Sequence, residues 1–129
     1  NTKKIKRKIK KYDVIVITTK GKKFNFDNSN QFSWVRKNFK DKNVEISLKK
    51  NFKNSKRKNR VLVGSFIFKN NEVLNNCIKY IFRKKLKINN EYYLDHAASI
   101  SRKIGLKLGE IVVKKYQSWS SHSELLNLK

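Results

Sequence analysis

Seven of the twelve residues from Lys49 to Arg60 are cationic (Lys49, Lys50, Lys53, Lys56, Arg57, Lys58 and Arg60), and none is acidic. Ammonium and guanidinium groups at that density suit one kind of chemistry: they replace counterions along a chain of phosphates. Arg57 and Arg60 are the expected bidentate contacts, because arginine's planar fork grips two phosphate oxygens at once, while the lysines act as point charges. Such a run cannot fold on itself, since like charges repel and nothing in it can be buried. A second run, Lys3, Lys4, Lys6, Arg7, Lys8, Lys10 and Lys11, fills the first eleven residues. Ile5 and Ile9, four apart, hint at a helical turn once those charges are paired, but alone this arm is expected to lack structure. Fourteen of the 33 basic residues fall in the two stretches, the clustering that a phosphate footprint requires.

Catalytic chemistry has far less to work with. Asp95-His96 is the one local acid–histidine pair, and neighbours on a helix point about 100° apart, so the two cannot form an oriented dyad. His96 reads as a surface or RNA-facing histidine. Cys77 falls on the apolar face of a predicted helix and reads as core rather than nucleophile. A metal-dependent nuclease needs carboxylates gathered round its cation; Asp13 and Glu45, each in a predicted strand, are the only pair placed to meet across a sheet. There is no glycine-rich phosphate loop and no zinc spacing. Phe66 and Phe68 alternate on one strand as base-stacking aromatics do, yet the glycine-aromatic motif of RNA-binding sheets is missing, so both read as core. The expectation is no enzyme, no cofactor, no metal and no small-molecule substrate.

The totals agree with a polyanionic partner. A net charge of +24 over 129 residues opposes compaction by self-repulsion. Abundant Lys and Asn with no Pro point to an AT-rich genome, which inflates lysine without removing acids; only nine Asp and Glu remain. The single cysteine excludes an internal disulfide framework. No apolar run approaches a membrane span, so no membrane partner is expected. The chain begins at Asn1 and contains no Met, which leads us to expect a removed leader or a longer parent chain.

The elements that position these groups are read from periodicity. Tyr12–Thr19 is a β-branched run, a strand covered on both faces. A turn at Lys20-Gly21 and the alternation of Lys22–Phe26 predict a hairpin partner. Asn30–Lys40 predicts a short helix with Phe32, Val35 and Phe39 inward and Trp34 off that stripe, at a rim or exposed, its reading as a partial core residue being the favoured one. Val44–Leu48 is a one-sided strand. Val61–Phe68 has no polar face and predicts a central strand, with Gly64 marking a bulge or a close backbone neighbour. Glu72–Ile88 predicts a helix, and Glu91–Tyr116 a long one whose Gly105 and Gly109 admit close packing, a break near Gly105 being the alternative. The expected architecture is α+β: a small, mainly antiparallel four-stranded sheet with two or three helices on one face. It comprises a basic arm (1–11), one RNA-binding domain (12–116) and a C-terminal tail (117–129) whose leucines dock on this domain or a neighbour.

A compact body carrying a basic arm and a basic loop resembles ribosomal proteins in composition and layout. The expected role is therefore a structural constituent of a ribosome, an organellar (mitochondrial) one on the AT-rich usage, with rRNA and neighbouring ribosomal proteins as partners. A cytoplasmic ribosome of an AT-rich genome is equally compatible with that usage. The rivals are a basic module for anionic membrane or an acidic protein, and the nuclease domain built on Asp13 and Glu45 or on His96.

Overall fold

A computed structural model describes residues 2–20, 32–37, 44–50, 52 and 59–116. The β-branched run forms β1 (Val14–Lys20), and five of its first six residues are buried. Against one edge of β1 lies β4 (Arg60–Phe68), antiparallel; against the other lies β5 (Leu108–Val113), parallel. β2 (Trp34–Lys37) pairs antiparallel with β4, and β3 (Val44–Ser47) antiparallel with β2. The sheet is thus five-stranded and mixed, in the order β3-β2-β4-β1-β5. This corrects the expected four antiparallel strands. The α+β class stands.

Two misread segments account for the difference. Residues 34–37, expected within a helix over Asn30–Lys40, are instead β2. Trp34, expected at a rim, is fully buried, and so is Val35 beside it. Consecutive residues on a strand point to opposite faces, so both can be buried only where both faces of the sheet are covered. The predicted long helix over Glu91–Tyr116 is likewise not formed. It is α3 (Leu94–Ile100), a 3-10 turn (Ser101–Ile104) and then β5. The chain reverses at Gly105, whose φ of 82° is a left-handed conformation that glycine adopts without a Cβ penalty. There the amide of Leu106 reaches back to the Ser101 carbonyl at 3.0 Å, and that of Gly105 to Arg102 at 3.2 Å. The expected hairpin strand Lys22–Phe26 and the tail 117–129 lie outside the described residues.

The helix α2 (Asn71–Arg83) starts where the sequence placed it. Asn70 is its N-cap, its side chain accepting from the Val73 amide at 2.9 Å. It stops five residues before the expected Ile88. Lys85 takes a left-handed conformation (φ 50°), so that Lys85 donates to Phe82 at 3.0 Å and Leu86 to Ile81 at 2.9 Å. That pair of bonds closes a helix in the Schellman manner, with apolar Leu86 folding back on the core. Gly64, as expected, sits at an irregularity: φ is 76° and the β1–β4 register shifts between Val16 and Thr18.

α2 and α3 lie on one face of the sheet. Val14, Val16, Leu62 and Leu108 meet Cys77 and Ile81 of α2 there, while Ala97 and Ala98, fully buried, let α3 come close. Phe66 and Phe68 pack against this cluster, in keeping with their reading as core. By register Ile15, Val61 and Trp34 share the other face. At β5 that face carries Gly109, whose partner on β1 is Ile15. A Cβ there would stand 2.5 Å from ring carbons of Tyr12. The missing side chain is what lets Tyr12 cross β5 and deliver the helix that precedes it. Close approach at Gly109 was expected from the sequence, though within a helix rather than on a strand.

Candidate nucleic-acid interface

The basic arm is a helix, α1 (Thr2–Lys11), where the sequence led us to expect no structure without a partner. It has no acid in its first turn, and its cations repeat at i,i+4: Lys3–Arg7, Lys4–Lys8, Lys6–Lys10 and Arg7–Lys11. Each like-charged pair opposes an isolated helix by about 0.2–0.5 kcal/mol. What holds α1 is its last turn. The Tyr12 amide donates to the Lys8 carbonyl at 3.0 Å, the Lys8 ammonium donates to the Glu110 carbonyl on edge strand β5, and the Lys11 ammonium sits 5.5 Å from the Tyr12 ring. Lys3, Lys6, Arg7, Lys10 and Lys11 are exposed, whereas Lys8 and Ile9 are half-buried. Lys8 thus serves the fold first, and the exposed cations remain available to phosphates.

The second basic stretch divides. Lys50 is exposed. Lys49 is half-buried, its amide donating to Ser33 Oγ at 3.4 Å and its ammonium lying 5.1 Å from the Tyr93 ring. Lys53, Lys56, Arg57 and Lys58 lie outside the described residues. Arg60 is turned inward. Its side chain crosses Thr18 of β1 to reach Glu110 on β5, with Nε donating to Oε1 and Nη2 to Oε2 at 2.7 Å. Thr18 Oγ1 donates to the same carboxylate at 2.6 Å. The two charged side chains are only 18% and 10% exposed. The guanidinium fork expected on a phosphate is therefore already filled by a carboxylate, and Arg60 belongs to the sheet.

The carboxylates do not converge. Glu45 on β3 binds Arg36 Nε at 2.6 Å. Asp13 lies three strands away and at the opposite end of the sheet, just before Val14, whereas Glu45 sits level with the Lys20–Arg60 end; Asp13 accepts from the Lys107 amide at 2.9 Å and from Lys69 Nζ at 3.4 Å. The Lys107 hydrogen bond, against the opposing effect of burial and with help from Lys69, holds the Asp13 carboxyl below the usual carboxylate range. Asp95 accepts from Ser33 Oγ at 2.6 Å rather than from His96. Among the described residues, no three His, Cys, Asp or Glu side chains are grouped to hold a metal ion. Cys77 is fully buried, which pushes its thiol pKa up.

His96 is half-buried rather than presented to a partner. Burial, chiefly, and the charge of Lys103 lower its pKa, against a hydrogen bond to the Leu86 backbone that raises it, and its buried Nδ1 has no partner. A histidine whose folded pKa lies below its unfolded one weakens the fold when it must be protonated. The stability His96 confers as a neutral ring is present above the unfolded histidine range and drains away as pH falls through about 6.5. Replacing His96 with Gln should flatten the fall in urea midpoint between about pH 7 and pH 5. An unaltered pH profile would remove His96 as its source.

Beyond the two stretches, a third group of cations stands at the end of α2 and after α3: Lys79, Arg83, Lys84, Lys85, Lys87 and Lys103, all exposed. From the sequence, those of α2 fall on its outer face and at its negative C-terminal end. They do not stand out there as a footprint, because charges spread along a helix do not form a run. Aromatic faces serve some of these cations where acids are scarce: Lys87 lies 5.2 Å from the Tyr92 ring and Arg83 5.9 Å from Tyr80. No family model matches this chain, and no curated protein matches it either.

Proposed function

We propose that this chain is a structural constituent of a ribosome, organellar on its AT-rich residue usage, that binds folded rRNA by neutralising its phosphates. One observation carries the reading. The described residues hold six of the nine acids, and five of those six are bonded to other groups of the chain: Asp13 to Lys107 and Lys69, Glu45 to Arg36, Glu91 to the Tyr93 hydroxyl at the surface, Asp95 to Ser33, and Glu110 to Arg60 and Thr18. Glu72 is the sixth, in the first turn of α2. Acids so used leave a large excess of cations directed outward on α1, the end of α2 and the turn after α3. Bound phosphates relieve that repulsion and release their own counterions, so binding weakens steeply with salt. Arg57 is the remaining arginine of the basic run suited to a bidentate phosphate contact, and neighbouring ribosomal proteins complete the setting.

A second reading has one feature in its favour: α1 is amphipathic, with Ile5 exposed beside its cations, as in helices that lie on anionic membranes. Two isoleucines give little apolar area to insert, and no helix among the described residues is long and apolar enough to cross a membrane. The test is sedimentation of the native protein from its source. Migration with a ribonucleoprotein particle at low salt, and release at high salt, is the expected result. Recovery with anionic vesicles in preference to structured RNA would favour the membrane reading instead.

A further inference from the structure

A groove of about 680 Å³ opens between α2 and the chain just past the 3-10 turn. That volume lies within the range of small-ligand sites, roughly 300–1,000 Å³. Its apolar surface comes from Tyr80, Phe82, Ile104 and Leu106, and its polar groups are Asn76, Lys79 and Arg83. Phe82 is 52% exposed, an unusual state for a phenylalanine on a helix whose other face builds the core. Tyr92 stands behind it, ring centroids 4.3 Å apart and planes tilted by 55°, which fixes one side of the Phe82 ring and leaves the other open. Among the described residues no carboxylate lines the groove; Glu72, the acid on that side of α2, stands one turn beyond Asn76.

We propose that this groove receives an unstacked base of single-stranded RNA, stacked on Phe82, with its flanking phosphates on Lys79 and Arg83. The inference rests on the RNA-binding reading above and adds a mode of contact to it. Phosphate neutralisation alone is indifferent to whether a base is free. A ring presented beside two cations is not: it takes the flat face of any base, and a single strand offers one where a duplex does not. Asn76 carries one amide donor pair and one carbonyl acceptor, the complement needed to read the edge of the seated base. The cationic rim selects against a neutral apolar segment as occupant, and the aromatic floor is of no use to phosphate by itself.

The full chain would be titrated against a fluorescent single-stranded oligoribonucleotide and against a duplex of the same sequence. Phe82→Ala should weaken the single-strand complex by roughly 5- to 100-fold, as expected when one stacking partner is removed, and leave the duplex complex unchanged. Asn76→Ala, at an exposed position, should alter preference among homopolymeric single strands without altering the salt dependence. Equal effects of Phe82→Ala on both probes, or none on either, overturn the groove while leaving phosphate binding intact. Displacement of the single strand by polyglutamate as readily as by RNA would also overturn it, assigning the groove to an acidic protein segment. A wild-type chain that binds neither RNA sinks the ribosomal reading itself.

Discussion

Replacing Glu110 with alanine is expected to lower the unfolding free energy by about 3 kcal/mol, the penalty typical of a buried ion pair that loses one partner. The loss is not that of an attraction alone. Arg60 would be left as an uncompensated cation at 18% exposure, lying over Thr18, whose hydroxyl would lose its acceptor as well. A surface pair in the same sheet gives the contrast. Arg36 and Glu45 are 32% and 30% exposed, so Glu45→Ala should cost only about 0–1 kcal/mol. The double substitution Glu110→Ala with Arg60→Met removes the stranded charge and should recover most of the loss, since a well-packed apolar replacement of a buried pair is often neutral. Urea denaturation of the four proteins decides the matter. Equal costs for Glu110→Ala and Glu45→Ala would show that the pair across β1 is no more buried in solution than the one at the edge.

Arg60 also shows where the sequence is legible and where it stops. It closes a run of seven cations, so composition assigns it to the partner along with its neighbours. Only the strand order, with β1 between β4 and β5, places Glu110 within reach of it. A partner fifty residues away in the chain leaves no local mark. β1 and β4 were legible because long β-branched and apolar runs have few other ways to bury themselves, and β3 because Val44 and Ile46 alternate with Glu45 and Ser47. β2 was not, for a physical reason: Phe32, Val35 and Phe39 fall at helical spacing, and a four-residue strand buried on both faces shows no alternation to set against it. β5 failed in the same way. Its sequence, Leu-Gly-Glu-Ile-Val-Val, carries no alternation of apolar and polar residues, so the two-residue period that marks a one-sided strand is missing. The helical pattern of Leu94 to Val112 therefore ran on past Gly105, although the left-handed turn there is the physical stop. Of the candidate interface, the clustered cations were visible in sequence, whereas the groove was not, because Phe82 and Leu106 line one groove only once α2 and the chain leading into β5 are packed on the same side of the sheet.

Separating structural cations from those offered to a partner gives the second large effect. Substituting Lys3, Lys6, Arg7 and Lys10 with serine should make the slope of log affinity against log salt less negative by roughly 3 units, at about 0.7–0.9 for each phosphate no longer neutralised. Lys8 is left in place because its ammonium binds the Glu110 carbonyl and anchors the arm to β5. The fold should not suffer. The four side chains are exposed, and removing them relieves repulsion at i,i+3 and i,i+4 along α1. Substituting Lys56, Arg57 and Lys58 in the same way should flatten the slope by roughly 2 units, with Arg60 retained for the sheet. The two sets are far apart in the chain, so their effects should add if each touches its own phosphates. If the helix set moved the slope and the set at 56–58 did not, the arm alone would be the footprint. If neither moved it while affinity still fell with salt, the contacts would have to come from the cations at the end of α2, and the two basic runs that dominate the sequence would have no part in binding.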